Sequence, residues 1–173
     1  PLDMRMDTTQ VLSARELVNE WPQARLEATI RKFGEERHAR SIAAEIVRRR
    51  PVETTGELVE AIRAAVPPAY RFGRGHPAKR SFQAIRIAVN GELESLDRAL
   101  PAAWASLREG GRLAAISFHS LEDRVVKHTL RALDRTDGVV RVLTGRPLVA
   151  SEQEIAANPR ARSAKLRAAE RLA

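Results

Sequence analysis

The sequence predicts an α/β protein in which a helical module precedes part of a sheet. Through most of the first hundred residues, apolar side chains recur at intervals of three and four, which indicates amphipathic helices. The period then changes at a short apolar run, Leu113 to Phe118, which lies between two glycines and an acidic, helix-starting sequence. Such a run is typical of a central parallel strand. A length of 173 residues suits one domain, or a small one attached to part of another.

Composition and charge limit the class of function. With 43% hydrophobic and 30% charged residues, and no apolar run near the ~20 residues of a membrane span, we expect a cytoplasmic protein with no membrane partner. The absence of cysteine and the scattered positions of four histidines argue against a metal site. The net charge of +8, mostly from arginine, favours a polyanionic partner such as nucleic acid. A generally arginine-rich composition is the alternative explanation.

The first half is predicted to contain four short helices, three of them opened by a capping residue or a proline. They are expected to begin near Ser13 (a capping box with Glu16), Pro22, Glu35 and Thr54 or Thr55. The last three are expected to end at Gly34, Pro51 and Pro67. Residues 67–81, PPAYRFGRGHPAKRS, are predicted to form a loop, and one long helix then runs from Phe82 to Leu100, with a further turn or short helix from Pro101.

Strands and helices are expected to alternate in the second half. After the first strand, Ser120 with Asp123 is predicted to cap a helix that runs to about Leu133. Further strands are predicted at 139–144 and at 163–172, although propensity alone favours a helix in the second of these segments. In that last strand, Ala164, Leu166 and Ala168 alternate with basic residues. Between these two strands, Ser151 and Glu154 predict another capping box.

Two places carry side chains suited to binding. His119 and Ser120 follow the first predicted strand, where open α/β sheets bind ligands. His119 can hydrogen-bond or stack there, or it can be a turn residue facing solvent; the hydroxyl of Ser120 is expected to be engaged as a cap. The stretch YRFGRGHPAKRSFQAIR interleaves aromatic rings with cations, the combination that holds unpaired RNA. A solvated loop is the alternative there; its cations are Arg71, Arg74, His76, Lys79 and Arg80.

Two more polar groups allow alternative interpretations. Gln83, Arg86 and Asn90 form one stripe on the helix that follows this loop, facing either a ligand or a buried amide network. The basic cluster NPRARSAK, residues 158–165, either contacts nucleic acid or only solubilises the entrance to the last strand.

Five blocks of the sequence resemble, in order and spacing, the MraW family of ribosomal RNA small subunit methyltransferases. They are PLDMRMD, GEERHARSIAAEIV, HPAKRSFQAIRIAVNGEL, GGRLAAISFHSLEDRVVK and NPRARSAKLRAAER. The resemblance implies a class I methyltransferase that uses S-adenosylmethionine to methylate the N4 amino group of a cytidine in the decoding region of small-subunit (16S) ribosomal RNA. The implied fold is a Rossmann-like sheet with an inserted helical substrate domain.

The resemblance also implies a division of the chain and roles for its residues. Residues 8–75 would be the helical substrate-recognition module, and 1–7 with 76–173 the C-terminal part of the Rossmann-like domain. Asp3, as a hydrogen-bond acceptor, and His119, as an orienting or stacking group, are candidates to border the pocket for the target base. Candidate contacts to RNA are Arg5, His76, Lys79, Arg80, Gln83, Arg86, Asn90 and Ser120.

The family's main cofactor-binding segment precedes the block that begins here at Pro1, so we assign no cofactor-binding residue and expect that an N-terminal region is missing. The expected partner is small-subunit ribosomal RNA or the assembled small subunit, and a homodimer is considered. The principal rival is a non-catalytic RNA-binding or ribosome-associated module, which would bind RNA in a salt-sensitive way without binding cofactor. A helical DNA-binding protein is a weaker rival, and would prefer duplex DNA.

Overall fold

Helices account for the first half of the chain, and helices and strands for the second. The computed structural model describes residues 1–73, 75–137 and 140–172, which divide into two compact units, Pro1–Glu92 and Leu93–Ala173. The helices of the first unit are α1 (Ala14–Glu20), α2 (Gln23–Gly34), α3 (Ala39–Arg49), α4 (Thr55–Ala65), α5 (Pro68–Arg71) and α6 (Lys79–Asn90). From its boundary onward follow α7 (Glu92–Ala105), β1 (Arg112–Ser117), α8 (Ser120–Asp137), β2 (Val140–Val142), β3 (Leu148–Val149), α9 (Glu152–Ala157), a 3-10 helix (Pro159–Ser163) and β4 (Lys165–Arg171). None of the described helices is long and apolar enough to cross a membrane.

The predicted domain division stays a prediction, because it concerns which segments belong to a methyltransferase domain. The compact units themselves divide at Glu92 and not at residue 75. The α/β class is confirmed, with a small antiparallel sheet.

Two capping boxes begin helices of the first unit. The predicted box at Ser13 and Glu16 is confirmed, since the Glu16 carboxylate accepts from Ser13 N at 2.9 Å and the Ser13 hydroxyl accepts at the start of α1. Thr54, not Thr55, opens α4: its Oγ1 accepts from Glu57 N at 3.1 Å, and Glu57 accepts in return. Each box supplies acceptors for backbone N–H groups that the first helical turn leaves unpaired.

The third helix and the loop after α4 differ from their predictions. Helix α3 begins at Ala39, and Glu35 ends α2 in the left-handed conformation, with φ of 48°. The predicted loop 67–81 contains α5 and the first turn of α6. Apolar periodicity could not reveal either change because it does not report how the chain turns between helices.

The long helix predicted from Phe82 to Leu100 is two helices. Gly91, with φ of 57°, ends α6, and α7 begins at the next residue and continues through Pro101. The apolar spacing continues across this break, so the pattern predicts one helix. A single left-handed glycine is enough to end the series of backbone hydrogen bonds in α6.

The core of the first unit forms where α2 packs against both α3 and α6. Its largest fully buried apolar side chains come from five helices and from the N-terminal segment: Leu2, Leu17, Leu26, Ile30, Ile42, Ile46, Leu58, Ile62 and Ile85. Gly34 lets the last turn of α2 approach the first turn of α6 closely, because a Cβ on Gly34 would lie 2.6 Å from the carbonyl oxygen of Arg80. Two α6 side chains satisfy carbonyls at this end of α2: Gln83 donates to Phe33 O at 3.0 Å, and Arg80 donates to Glu35 O at 3.1 Å.

The sheet of the second unit is antiparallel, with β4 in the middle. The strand order is β1-β4-β2, and β3 also pairs with β4. The prediction that β1 is a central parallel strand is therefore wrong within the described sheet: β1 lies at its edge and pairs antiparallel with β4, from Arg112 opposite Glu170 to Ser117 opposite Lys165. A short apolar run shows that a strand is present but does not specify its neighbours or their direction.

The last predicted strand is confirmed as β4, but its buried face is the other one. Arg167 and Ala169 are buried, and Ala169 belongs to the core with Leu100, Val126 and Leu130. The predicted alternation of 164, 166 and 168 thus marks the opposite face, since residues two apart share a face. The second predicted strand is present as β2, while its first residue, 139, lies outside the described residues; β3 was not predicted.

Glu170 joins three strands through its carboxylate. It lies on β4 and accepts from Arg112 on β1 at 2.8 Å and from Arg141 on β2 at 2.6 Å. The hydrogen bond from Arg112 and the charge of Arg141 hold the pKa of Glu170 below its ordinary value. The cross-strand charges therefore support the same order as the backbone pairing.

We predict that Gly34→Ala destabilises the first unit, although alanine is favoured over glycine in helices by about 1 kcal/mol. The added Cβ would meet the Arg80 carbonyl at 2.6 Å, and overpacking of this kind costs about 1–3 kcal/mol. Urea unfolding followed by circular dichroism measures the change. The matched control is Gly56→Ala in α4, whose Cβ would meet nothing nearer than 3.8 Å and which should be neutral or stabilising. Equal behaviour of the two variants would contradict the prediction.

Candidate nucleic-acid interface

Asp3 is held as a carboxylate by Arg5. The Arg5 guanidinium donates from Nε to Asp3 Oδ1 at 2.7 Å and from Nη2 to Oδ2 at 2.9 Å, and Arg5 N adds a third bond at 3.1 Å. These bonds, the side-chain ones foremost, lower the pKa of Asp3 from 3.8 to about 2. Asp3 is thus ionised at neutral pH, with its side chain 42% exposed, and acts as an acceptor rather than a strong base.

The backbone around Asp3 is fixed by an amide from α6. Met4 has a left-handed φ of 63°, a conformation that costs free energy for a residue other than glycine. Asn90 donates to Met4 O at 2.9 Å and accepts from Met6 N at 2.7 Å, which holds this conformation on both sides. Gln10 adds a bond to Val89 O at 3.0 Å. The N-terminal segment is therefore part of the first unit and presents Asp3 in one orientation.

The three members of the predicted polar stripe make hydrogen bonds inside the protein. Gln83 ties α6 to α2, Asn90 holds the N-terminal segment, and Arg86 pairs with Glu92 at 2.7 and 2.8 Å. The amide-network interpretation describes Gln83 and Asn90, which hydrogen-bond to the backbone of α2 and of the N-terminal segment. A direct RNA contact of these side chains and of Arg5 stays a prediction.

A cleft of ≈ 450 Å³ lies at the start of α6. The structure brings His76, Lys79 and Arg80, three of the predicted RNA contacts, together around it. Arg37, from the connection between α2 and α3, and Tyr70 of α5 also line the cleft. Its volume lies within the range of about 300–1,000 Å³ that ligand sites occupy. Arg74, another cation of the predicted loop, falls outside the described residues.

Tyr70, which lines this cleft, is held in place by a hydrogen bond to a buried carboxylate. Glu36, only 1% exposed, accepts from the Tyr70 hydroxyl and from His38 N, the latter at 2.8 Å. Burial and the bond to Glu36 raise the pKa of Tyr70 to about 12. The Arg37 guanidinium lies 5.0 Å above the Tyr70 ring, and His38 meets its edge. Sequence reasoning missed Glu36 and Arg37; the one available signal was a charged EERH run directly after the glycine of α2.

His119 begins α8, which corrects the predicted cap at Ser120 and Asp123. The carbonyl of His119 accepts the first helical bond, from Asp123 N, so His119 is the capping residue. Its Nδ1 accepts from Glu122 N at 3.3 Å, and Glu122 Oε2 accepts from His119 N at 3.2 Å. An imidazole thus replaces the hydroxyl of a usual capping box, with the Nε2–H tautomer assigned from this geometry. The His119 side chain is 10% exposed, so it is no solvent-facing turn residue.

The described contacts of the Asp123 carboxylate are with strand β4 and not with the backbone at the start of α8. It accepts from Arg167 of β4 at 2.7 and 3.2 Å, and Lys165 Nζ lies 3.7 Å away. The Arg167 bonds lower the pKa of the Asp123 carboxyl. The side chain of Arg167 is only 9% exposed, so this pair is a buried link between α8 and β4.

The second basic cluster forms the 3-10 helix before β4. Asn158 Oδ1 accepts from Arg160 N at 3.2 Å, and Arg160 and Arg162 are exposed. A nucleic-acid contact by this cluster stays a prediction.

Comparison with known proteins gives the family. A family model described as the MraW methylase family matches residues 1–172. The chain belongs to the MraW methylase family. It is similar to proteins named ribosomal RNA small subunit methyltransferase H: it is 58% identical over 172 residues to the one from Synechococcus elongatus, 55% over 172 residues to the one from Nostoc, and 52% over 189 residues to the one from Heliobacterium modesticaldum. These alignments cover 99% of this chain but 57%, 56% and 60% of the relatives, so the chain spans little more than half their length.

The described residues of this MraW chain do not build a cofactor site of the usual kind. Class I sheets hold a nucleotide-like cofactor where a strand turns through a glycine-rich loop into a helix. In the part of the chain that the structure describes, β1 instead turns through Phe118 and His119 into α8, and Gly110 and Gly111 precede the strand. We therefore assign none of the described residues to S-adenosylmethionine.

We predict that Asp3 titrates near pH 2 and that Arg5→Gln moves its pKa up toward 3.8, because the bonds from Arg5 are the main cause of the low value. The folded pKa is depressed, so the stabilisation from the pair is present above pH 3.8 and is lost as the pH falls toward 2. A carbon-13 NMR titration of the Asp3 carboxyl measures both values. A midpoint near 3.8 in the unsubstituted protein would contradict the assignment.

We predict that His119→Ala destabilises α8 by about 1 kcal/mol, the usual cost of a lost cap, and that His119→Asn retains most of the stability because asparagine is a good capping residue. Urea unfolding of the two variants compares them directly. If alanine proves as stable as asparagine at this position, His119 does not act as the cap.

Proposed function

We propose that the whole protein transfers a methyl group from S-adenosylmethionine to the N4 amino group of a cytidine in the decoding region of small-subunit ribosomal RNA. The observation that carries the proposal is membership of the MraW methylase family along 1–172, with relatives named as ribosomal RNA methyltransferases. The ionised Asp3 and the cationic cleft support it, since the reaction needs an acceptor and the substrate is a polyanion. The cytoplasmic location and the homodimer stay predictions.

The carboxylate of Asp3 is suited to accept a hydrogen bond from a cytosine amino group. The lone pair of N4 is delocalised into the ring, so nitrogen attacks an electrophile only when an acceptor holds one N–H and lets the nitrogen become pyramidal. When bound, S-adenosylmethionine supplies the electrophilic methyl on a sulfonium. A carboxylate with a pKa of about 2 does not remove a proton from neutral cytosine. It accepts a hydrogen bond from N4–H, and it takes the proton once the nitrogen carries the methyl group and has become strongly acidic.

His119 and the cleft would orient the substrate. The imidazole of His119 is held by its Nδ1 bond to Glu122 N, and we expect the oriented ring to border the pocket for the target base. His76, Lys79 and Arg80 would bind the RNA backbone at the cleft. Positioning of this kind accounts for a large share of the rate in reactions where two groups must meet in line.

The test is methyl transfer from labelled S-adenosylmethionine to unmodified small ribosomal subunits by the full-length protein. We predict that Asp3→Asn lowers the rate by about 100-fold, within the range for loss of an acid–base group. His119→Asn keeps the helix cap but removes the imidazole, and we expect about a tenfold loss from poorer positioning.

Asp7→Asn is the matched control, because Asp7 is an exposed carboxylate of the same segment that bonds only to Thr9 among the described contacts, at 2.9 and 2.6 Å. It should leave the rate unchanged. Full activity of Asp3→Asn would remove Asp3 from the mechanism. RNA binding without any methyl transfer or cofactor binding by the full-length protein would favour the rival, a non-catalytic RNA-binding module.

A further inference from the structure

The cations around the cleft differ from the ion-paired arginines of the first unit. Seven arginines of that unit form ion pairs within 4 Å: Arg5, Arg15, Arg31, Arg48, Arg49, Arg63 and Arg86. Arg37, Lys79 and Arg80 line one cleft, are exposed, and form no ion pair with any carboxylate that the structure describes. Unneutralised like charges in a concave surface concentrate positive potential there, which favours an anion.

The carboxylate nearest in sequence forms no ion pair with these cations among the described contacts. Glu36 is buried and accepts from the Tyr70 hydroxyl and from His38 N. Arg80 uses Nη1 to bond Glu35 O at 3.1 Å, which fixes the direction of its guanidinium and leaves further donors on the group. A buried carboxylate therefore holds one lining residue of the cleft in place, while the charged groups that line the cleft are cations.

The two aromatic rings of the stretch YRF have different positions. Tyr70 is partly buried and held through its hydroxyl, whereas Phe72, two residues later, is 78% exposed. Phe72 ends α5 and lies in sequence between cleft-lining residues, Tyr70 on one side and Gly73 on the other. A large flat ring that is exposed and adjacent in sequence to residues of a cationic cleft can hold a base beside its phosphate.

We propose that this cleft binds one nucleotide of unpaired RNA, with a backbone phosphate held by Arg37, Lys79 and Arg80 and the neighbouring base stacked on Phe72. The proposal rests on the proposed function in taking RNA as the substrate, and it adds Arg37 and Phe72 as positioning residues. Stacking on a side chain requires a base that is free of its helix, so the cleft selects single-stranded over double-stranded RNA.

Fluorescence anisotropy of a labelled, unstructured 12-nucleotide RNA with the full-length protein tests the proposal. Phe72→Ala should weaken binding about 5- to 150-fold, the range for loss of one stacked base, and Phe72→Trp should restore it. Arg37→Gln and Lys79→Gln should each reduce the slope of log affinity against log salt by about 0.7, whereas Phe72→Ala should leave that slope unchanged. Because Phe72 is exposed, its replacement should not alter the unfolding midpoint.

The matched control for charge is Arg63→Gln, a partly exposed arginine of α4 that lies outside the cleft lining. It should change neither the affinity nor the slope. The proposal is overturned if Phe72→Ala binds as tightly as the unsubstituted protein, if Arg63→Gln acts like Arg37→Gln, or if a duplex of the same sequence binds as well as the single strand.

The methyl-transfer assay separates this proposal from the proposed function. If the unsubstituted protein methylates small subunits and Phe72→Ala binds the 12-nucleotide RNA normally, only the nucleotide site is wrong. If the unsubstituted protein transfers no methyl group but its RNA binding depends on Phe72 and Arg37 as described, only the proposed reaction is wrong.

Discussion

The contact between the end of α2 and the start of α6 is the constraint on which the first unit depends. Because Gly34 has no side chain, the α6 backbone can approach at the Arg80 carbonyl, and Gln83 and Arg80 then satisfy carbonyls that the end of α2 would leave unpaired. The same contact places the basic first turn of α6 beside Arg37, which follows α2. The packing of two helices and the assembly of a cationic cleft thus have one cause.

Pairing with arginine distinguishes the carboxylates of Asp3 and Glu170 from the cations of the cleft. Asp3 and Glu170 each accept from arginines, which lower their pKa values and fix their orientation. For Glu170 the effect is to join strands, whereas for Asp3, with 42% of its side chain exposed, it leaves an oriented acceptor within reach of solvent. The cleft cations lack such partners among the described residues, and their uncompensated charge is what makes the cleft suited to an anion.

The end of β1 shows how a helix cap orients a side chain that we propose borders the site. His119 caps α8 through Nδ1 and its own carbonyl, and the cap in turn fixes the imidazole. Ring orientation at this position therefore follows from helix initiation. The Asp123–Arg167 pair then holds the start of α8 against β4.

The sequence by itself determined the α/β class, the helical first half, the capping box at Ser13, the strand β4 and the family, because these depend on local periodicity, on pairs three residues apart, or on ordered motifs. Only the tertiary structure decided the antiparallel order around β4, the break at Gly91, the cap at His119, and the association of Arg37 with Lys79 and Arg80. The cap at His119 is local but uses an imidazole that common capping patterns do not include. The others depend on contacts between residues distant in sequence, or on a backbone angle that side-chain patterns do not report. The partners of Gln83 and Asn90 show the same limit, since a polar stripe on a helix looks alike whether it faces a ligand or a neighbouring segment.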